Sequence, residues 1–403
     1  MKKLFRSLIW LYAAAFVVAT GGIAAAQCDC DKEFENCALP ITSLSGQGYS
    51  VSGVTGGMTV EDPLSFMPPS ASVDPREVLL DAGALYDNVA ILVVDAFGGS
   101  YRIPQSVFSA SSDADLEAYY ASGTLTHGAL VFNHINALLE GALTSSGFSP
   151  NRSGSDVVWT DGSKRVAVVM VDALDYNAPK PTLDVARMLS ERMFKLLDDG
   201  YDTFVLNMSF AILPCAIAEG LATSGITFDQ YVSSVQAAGN YYYEQIMTPV
   251  ETLMHPDPLH YLLSQCAGSQ AAFGAKSQFS QQTFAPDIRL PEDLRPVEMR
   301  FESPCDGNTR LRVAYAGSSG NSRLPFPFYP AAWREVVSVS ASQDGALATY
   351  SNYNADSVLQ GGWFLLVNGG QLQGRVTSSS VHYRGTSFSG PVQAVCMSLG
   401  VPC

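Results

Sequence analysis

The chain has 403 residues, of which 47% are hydrophobic, and a formal net charge of −15 at pH 7. A chain of this length and composition can bury a large core, so we expect one large domain with additions, or two domains. The acidic balance excludes the basic surface that nucleic-acid binding requires, so no nucleic-acid partner is expected.

The first 26 residues have the layout of a secretory signal peptide. Two lysines and an arginine form a positive start, residues 8–19 are apolar, and three alanines offer a cleavage site after Ala26. The alternative is an uncleaved anchor, because the uncharged run approaches bilayer-spanning length. Cleavage is favoured, which predicts a secreted or extracytoplasmic protein without stable membrane insertion. Losing three cationic residues takes its charge from −15 to −18.

Eight cysteines follow the predicted cleavage site, and an even count in an exported chain predicts disulfides whose connectivity stays open. They are Cys28, Cys30, Cys37, Cys215, Cys266, Cys305, Cys396 and Cys403. The first three also suggest a metal site, but no histidine or fourth cysteine lies near them in the sequence. Disulfides are therefore the favoured interpretation.

The N-terminal segment at residues 27–87 contains cysteines and is predicted to be loop or linker. Its first half is rich in glycine, serine and threonine, a composition typical of irregular structure. The main predicted domain follows at residues 88–403.

From residue 88 onwards, short apolar runs alternate with amphipathic segments. The predicted strands lie at 89–95, 166–171, 203–210, 311–316 and 336–341, and the predicted helices at 127–141 and 183–197. Strands that alternate with helices form parallel βαβ units. The predicted fold class is therefore α/β, a three-layer sandwich with a mainly parallel sheet.

This alternation stops in an insertion at about residues 214–304. Two helices are predicted inside it, at residues 228–247 and 258–266, and the rest is rich in proline and glutamine.

Three residues have the local settings that nucleophilic catalysis needs. Asp95 ends a buried strand, and functional groups of α/β sheets gather at the carboxyl ends of strands. His127 opens a predicted helix. Ser387 precedes Pro391, which is best tolerated in the first turn of a helix, so we expect Ser387 at a loop-to-helix junction. A serine becomes a nucleophile when a base takes its proton and a carboxylate orients that base, which predicts catalytic roles for all three residues.

The chain resembles the subtilisin-like serine proteases, the subtilases, in the motifs around these residues. VVDAFGG at Asp95, THGALV at His127 and GTSFSGP at Ser387 are similar to the family's Asp, His and Ser motifs, in the family's order. VLNMSF, AYAGSSGN and ATYSNYN are similar to further family segments. The resemblance covers about residues 88–213 and 305–395.

The resemblance implies a secreted serine endopeptidase with a subtilisin-like fold, a large insertion and a truncated C-terminus. Ser387 would attack the peptide bond, His127 would act as general base and then general acid, and Asp95 would orient His127. Ser209 and Phe210 would lie beside the bound polypeptide substrate, which pairs as an added strand. No cofactor is required for this chemistry. Structural calcium is frequent in the family, but the sequence holds no calcium loop of the EF-hand type.

Other departures from the family pattern concern the oxyanion site and the flanking segments. Ser318 stands where the family usually has the asparagine that donates to the oxyanion, and Asn321 is the alternative donor. The backbone N–H of Ser387 is the other expected donor. Residues 27–88 are short and loop-like for an inhibitory pro-domain, and the insertion is a candidate cover for the cleft.

Four alternative interpretations stand beside this one. Asp172 also ends a predicted strand, but it follows His127 in the chain. An α/β-hydrolase would need a second glycine after the serine and a histidine last in the order. A zinc site at His255 and His260 is disfavoured by the prolines between them. The alternative from a different functional class is a catalytically impaired subtilase-like protein, a pseudoprotease that acts as a binding module.

Overall fold

In the computed structural model, the described residues are 36–40, 86–97, 126–153, 156–175, 180–214, 257–266, 303–305, 311–321, 326–343, 346–353, 355–360, 363–366, 372–373 and 382–403. The predicted signal peptide, the predicted helix at 228–247 and His255 lie outside these residues.

The described residues form fifteen strands and four α-helices. The strands are Asn36–Pro40 (β1), Asn88–Asp95 (β2), Ser149–Ser153 (β3), Asp156–Thr160 (β4), Arg165–Asp172 (β5), Lys180–Pro181 (β6), Thr203–Met208 (β7), Phe210–Pro214 (β8), Arg312–Ser318 (β9), Val337–Gln343 (β10), Ala346–Leu347 (β11), Ser357–Gln360 (β12), Trp363–Leu366 (β13), Leu372–Gln373 (β14) and His382–Arg384 (β15). The helices are His127–Leu143 (α1), Thr182–Asp198 (α2), Pro258–Cys266 (α3) and Thr386–Leu399 (α4), and a 3-10 turn covers Thr144–Ser146.

The main sheet has the strand order β11-β10-β9-β7-β2-β5-β4-β3, with β12 paired to β10. Strands β12, β10, β9, β7, β2 and β5 run parallel, and β11, β4 and β3 join them as antiparallel neighbours. The predicted α/β class with a mainly parallel sheet is confirmed.

Both faces of the central strand β2 are buried. Val89, Ile91 and Val93 belong to a core cluster with residues of α1 and α4. The alternate residues of β2 belong to a second cluster with residues of α2 and α3. Successive side chains of a strand point to opposite faces, so a strand covered by helices on both sides reads as a continuous apolar run.

The predicted elements of the described region appear with boundaries shifted by at most two residues, apart from the run at 203–210. The largest difference is in the run at 203–210, which is divided into β7 and β8 by Ser209. Helix α3 has the bounds predicted for it.

The prediction of loop or linker for the N-terminal segment is wrong for Asn36–Pro40, which forms β1. This strand lies between β6 and β8 and pairs antiparallel with both. Strand formation depends strongly on the neighbours that a segment meets, and the five residues of β1 carry no alternating pattern that reveals it.

The prediction that Pro391 lies in the first turn of its helix is also wrong. Helix α4 begins at Thr386, so Pro391 lies in the second turn. Proline lacks the N–H that would bond to the carbonyl of Ser387 four residues earlier. The hydroxyl of Ser209 donates to that carbonyl instead, over 3.4 Å, which helps the helix to accommodate the proline.

Two disulfides lie entirely within the described residues, as the cysteine count predicts. Cys266–Cys305 joins the end of α3 to the turn at 303–305, and Cys396–Cys403 joins α4 to the chain end. Cys37 is disulfide-bonded as well. Within the ranges given above, no helix is both long and apolar enough to cross a membrane.

Candidate active site

Asp95 and His127 form a buried pair at the carboxyl end of β2. The Nδ1 atom of His127 lies 2.6 Å from Oδ2 and 2.8 Å from Oδ1 of Asp95. Both side chains are fully buried. A carboxylate only accepts hydrogen bonds, so Nδ1 carries the proton and the neutral imidazole keeps its basic lone pair on Nε2.

The backbone around the pair fixes its geometry. Thr126 caps α1 by accepting a hydrogen bond from the N–H of Ala129 at 3.2 Å. The N–H of Gly128 donates to the carbonyl of Ala96 at 3.0 Å. A Cβ atom on Gly128 would lie 2.8 Å from that carbonyl oxygen. Only glycine therefore lets the start of α1 approach the loop after Asp95 this closely.

Burial raises the pKa of the Asp95 carboxyl, and the adjacent imidazole of His127 opposes that shift. The N–H of Ala96 also donates to Asp95, at 2.7 Å, which favours the ionised form. The charge of Asp172 on the neighbouring strand raises the pKa of Asp95 further.

Asp172 stands beside Asp95 across the β2–β5 pairing, but its carboxylate has a different contact. It accepts the N–H of Phe97 at 2.9 Å. Of the two candidate carboxylates, Asp95 is the one that the structure brings to His127.

Ser387 is the second residue of α4, and helix α4 packs on α1 beside this pair. Its side chain is 2% exposed, and its hydroxyl makes no hydrogen bond to any described residue. The ring of Phe388, the next residue, has its centroid 6.5 Å from that of His127. The start of α4, which carries Ser387, therefore lies near the Asp95–His127 pair.

His134 of α1 is buried against the start of α4. Its Nε2 lies 3.1 Å from the carbonyl oxygen of Phe388, and its ring packs edge-on against the ring of Phe388. This contact fixes the start of α4, where Ser387 stands, relative to the helix that carries His127.

Ser318 and Ser209 lie beneath the first turn of α4. The hydroxyl of Ser318 is buried and donates to the carbonyl of Thr386 at 2.9 Å. Ser209 is fully buried, its hydroxyl lies 3.2 Å from that of Ser318, and it accepts a hydrogen bond from Asn207. Both hydroxyls therefore bind backbone carbonyls at the start of α4, that of Ser318 at Thr386 and that of Ser209 at Ser387.

Asn321 has the contacts that fit the alternative oxyanion donor. Its Oδ1 accepts the N–H of Thr386 at 2.8 Å and the hydroxyl of Thr386 at 3.1 Å. Its Nδ2 is buried and has no hydrogen-bond partner among the described residues. A Cβ atom on Gly385 would lie 3.2 Å from this nitrogen, so the amide donor borders the chain just before Ser387. The geometry favours Asn321 over Ser318.

The backbone after β9 turns sharply to bring Asn321 to α4. Gly320 has φ of +112°, and a Cβ atom there would lie 2.4 Å from the ring of Phe328. Its N–H donates to the Thr386 hydroxyl at 3.1 Å. A residue with a side chain would be strained at this position and would clash.

Phe210, predicted to border the bound peptide, is fully buried. It begins β8, and its backbone is paired with Pro40 of β1. A segment of the same chain is therefore paired with β8 in this structure.

No group of three or more histidine, cysteine or acidic side chains able to hold a metal ion occurs in the ranges that the structure describes. His260 of the disfavoured zinc alternative stacks on Trp333 and lies 3.3 Å from a carboxylate oxygen of Glu335.

The sequence interpretation missed Thr386 and Asn207. Thr386 joins Asn321 and Gly320 to the start of α4, and Asn207 supports Ser209 from β7. Both stand inside motifs that the sequence highlights, GTSFSGP and VLNMSF, but a motif does not say which of its polar side chains face inward.

No protein-family model matches this chain, and no curated protein matches it either, so any function must be argued from its residues and geometry.

Proposed function

We propose that this chain is a subtilisin-like serine endopeptidase that is secreted and hydrolyses peptide bonds through an acyl-enzyme on Ser387. The observation that carries the proposal is the buried Asp95–His127 pair packed against the first turn of the helix that presents Ser387. The chain order Asp…His…Ser and the mainly parallel sheet, with Asp95 at the carboxyl end of its strand, also support it.

In the acylation step, the Ser387 oxygen attacks the carbonyl carbon of the peptide bond while its proton passes to Nε2 of His127. Asp95 keeps the proton of His127 on Nδ1 and stabilises the imidazolium that forms. The tetrahedral intermediate then collapses: the C–N bond breaks, and His127 returns the proton to the leaving amine. Ser387 is left as an acyl ester.

In the deacylation step, a water molecule gives one proton to His127 and attacks the ester carbonyl. Collapse of the second tetrahedral intermediate releases the new carboxyl terminus and returns the proton to Ser387. Both steps use the same base, and neither requires a cofactor.

Both tetrahedral intermediates carry a negative oxygen. We assign its stabilisation to Nδ2 of Asn321 and to the backbone N–H of Ser387. The first N–H groups of a helix lack intrahelical acceptors and point at an anion placed there. Asn321 Nδ2 is a buried donor without an acceptor among the described residues. An oxyanion donor is expected to lack an acceptor until the substrate binds.

The Asn321→Asp variant is expected to lower kcat by at least about 10²–10³-fold with a small change in KM. Aspartate keeps the oxygen that accepts from Thr386 but has no N–H to donate, and its charge repels the oxyanion. Steady-state kinetics on an activated acyl ester measures the effect.

Ser318→Ala is the matched control for this prediction. It removes a hydroxyl that donates to the Thr386 carbonyl, so we expect a loss of about 1 kcal/mol in the free energy of unfolding. Its kcat should fall far less than that of Asn321→Asp. A larger fall in kcat for Ser318→Ala would return the oxyanion role to Ser318.

A second candidate function is binding without catalysis, the pseudoprotease alternative. It is favoured by one observation: the Ser387 hydroxyl makes no hydrogen bond to any described residue, His127 included. Catalytic hydrogen bonds in unliganded enzymes are often long and tighten when substrate binds. Catalysis therefore remains our proposal.

The experiment that tests the function incubates the purified, secreted protein with an unfolded polypeptide and identifies new termini by mass spectrometry. We expect new termini with parent protein and none with a His127→Ala variant of equal stability. Cleavage that persists in the variant would show that another residue or a contaminant is responsible.

A further inference from the structure

The first turn of α4, which carries Ser387, is held by side chains from three other segments. The consecutive carbonyl groups of residues 386–388 each accept one side-chain hydrogen bond. The donors are Ser318 of β9 at 2.9 Å, Ser209 between β7 and β8 at 3.4 Å, and His134 of α1 at 3.1 Å. Bonds to distant parts of the chain therefore help to set the position of this turn.

The start of α4 depends on these donors because part of its own helical ladder is missing. Pro391 has no N–H to offer to the carbonyl of Ser387. The N–H of Phe388 bonds to the carbonyl of Gly385, only three residues earlier, at 3.0 Å, which is the spacing of a 3-10 turn and not of a regular α-helix. Side chains supply contacts that the local backbone does not.

Of the three donors, His134 is the one that belongs to the helix of the proposed base. It follows His127 by seven residues, and residues at this spacing lie on the same face of a helix. Both imidazoles are buried, and helix α1 packs against α4. The hydrogen bond of His134 therefore joins the helix that carries His127 directly to the turn that carries Ser387.

The bond also fixes how the His134 ring is oriented. A carbonyl oxygen only accepts hydrogen bonds, so Nε2 of His134 carries a proton and donates it to the carbonyl of Phe388. Ile135 and Leu138, on the same helix, belong to the apolar core cluster that contains Phe388. A polar ring in such surroundings is costly unless it is hydrogen-bonded, so the Phe388 carbonyl holds the ring in one orientation.

The side chain of Phe388 makes a second link between the two helices. Its ring is fully buried. The ring centroid lies 6.1 Å from that of His134, in an edge-on arrangement, and 6.5 Å from that of His127. Edge-on aromatic pairs at such distances are favourable. The carbonyl and the ring of Phe388 therefore both connect α4 to α1, one residue away from Ser387.

We propose that His134 is a positioning residue for the reaction at Ser387: its hydrogen bond to the carbonyl of Phe388 sets the distance between the Ser387 oxygen and Nε2 of His127. The inference rests on the proposed function, because it concerns the geometry of the same site.

Proton transfer from Ser387 to His127 requires that the two atoms come within about 2.6–3.2 Å of each other. A misplacement of about 1 Å can lower the rate of such a step by about 10²-fold. His134 acts on this distance through the backbone of α4 and contacts none of the reacting atoms. Its loss should therefore lower kcat and leave KM nearly unchanged.

The test is the His134→Leu variant, which keeps an apolar side chain in the core but has no donor for the Phe388 carbonyl. We expect kcat for an activated acyl ester to fall about 10²-fold with a small change in KM. The rate of labelling by a small fluorophosphonate should fall by a similar factor, because the probe reacts at the same serine. Both rates are measured per folded molecule, after a urea titration.

Two further variants separate position from stability. The amide nitrogen of glutamine can reach the place of Nε2 and donate to the same carbonyl, so His134→Gln should restore most of the parental kcat. Ser398→Ala is the matched control, because it removes a buried hydroxyl that donates to the carbonyl of Val395 at 2.7 Å, at the other end of α4. We expect this variant to unfold at lower urea and to keep the parental kcat and labelling rate.

The outcomes distinguish this inference from the proposed function. A parental labelling rate and kcat in folded His134→Leu, or an equal fall in His134→Leu and His134→Gln, would overturn the positioning role and leave the protease function intact. Absence of ester hydrolysis and labelling in the folded parent would overturn both. If His134→Leu does not fold, as judged by circular dichroism, His134→Asn replaces it, because its amide is too short to reach the carbonyl, and it gives the same outcomes.

Discussion

Replacing Ser387 by alanine is expected to lower kcat/KM for an activated acyl ester by about 10⁶-fold. The free energy of unfolding should hardly change, because the hydroxyl makes no hydrogen bond to a described residue. Esters of short acyl groups are the suitable substrates, because they react at the serine without the extended backbone pairing that a peptide makes. Kinetics and a urea titration of the same preparation measure both quantities.

The interpretation of Ser387 as nucleophile would be contradicted by a variant that keeps parental activity. A variant that loses activity and several kcal/mol of stability together would point to a structural role. Ser389→Ala is the matched control, since it removes a buried hydroxyl from the same helical turn and is expected to retain activity.

Asp95→Asn is expected to lower kcat/KM by about 10⁴-fold. The asparagine amide can turn its NH₂ group or its oxygen toward His127, but the N–H of Ala96 already requires an acceptor at one position. The NH₂ group then faces Nδ1 of His127, which favours the imidazole tautomer with its proton on Nε2. That tautomer cannot take the proton of Ser387.

Asp172→Asn is the control for this second prediction. Asp172 stands next to Asp95 and also carries a carboxylate, but it bonds to the N–H of Phe97, an acceptor role that asparagine can keep. We expect less than a tenfold fall in kcat/KM for this variant, measured on the same ester. A fall larger than that of Asp95→Asn would transfer the orienting role to Asp172.

The class of the fold and the position of two site residues follow from local sequence. A continuous apolar run that ends in an aspartate, such as residues 89–95, predicts a strand buried on both faces, with the carboxylate at its carboxyl end. Thr126 before His127 is a helix-capping residue at the right place. These features depend on short stretches of chain, and the structure has both.

The oxyanion side of the site depends on contacts between distant segments. Alignment with the family motif selects Ser318, whereas the bend at Gly320 brings Asn321 to the start of α4. Both residues contact Thr386, and the path of the loop decides which of them keeps a side-chain donor without an acceptor among the described residues. That path depends on packing against Phe328, which a motif does not contain.

Strand β1 is the clearest case of a feature set by tertiary context. Its sequence, NCALP, has neither alternation nor β-branched residues, and it becomes a strand because β6 and β8 each offer a free edge. Only the structure reveals this pairing.

Covalent labelling with a small fluorophosphonate, followed by mass spectrometry of the digested protein, tests the central claim most directly. We predict one adduct, on Ser387, that forms much more slowly in Asp95→Asn and is absent from Ser387→Ala. An activated serine reacts with such a probe, whereas an ordinary buried hydroxyl does not. An adduct on another residue, or no adduct in protein shown to be folded, would contradict the assignment of Ser387 as the nucleophile of a peptidase.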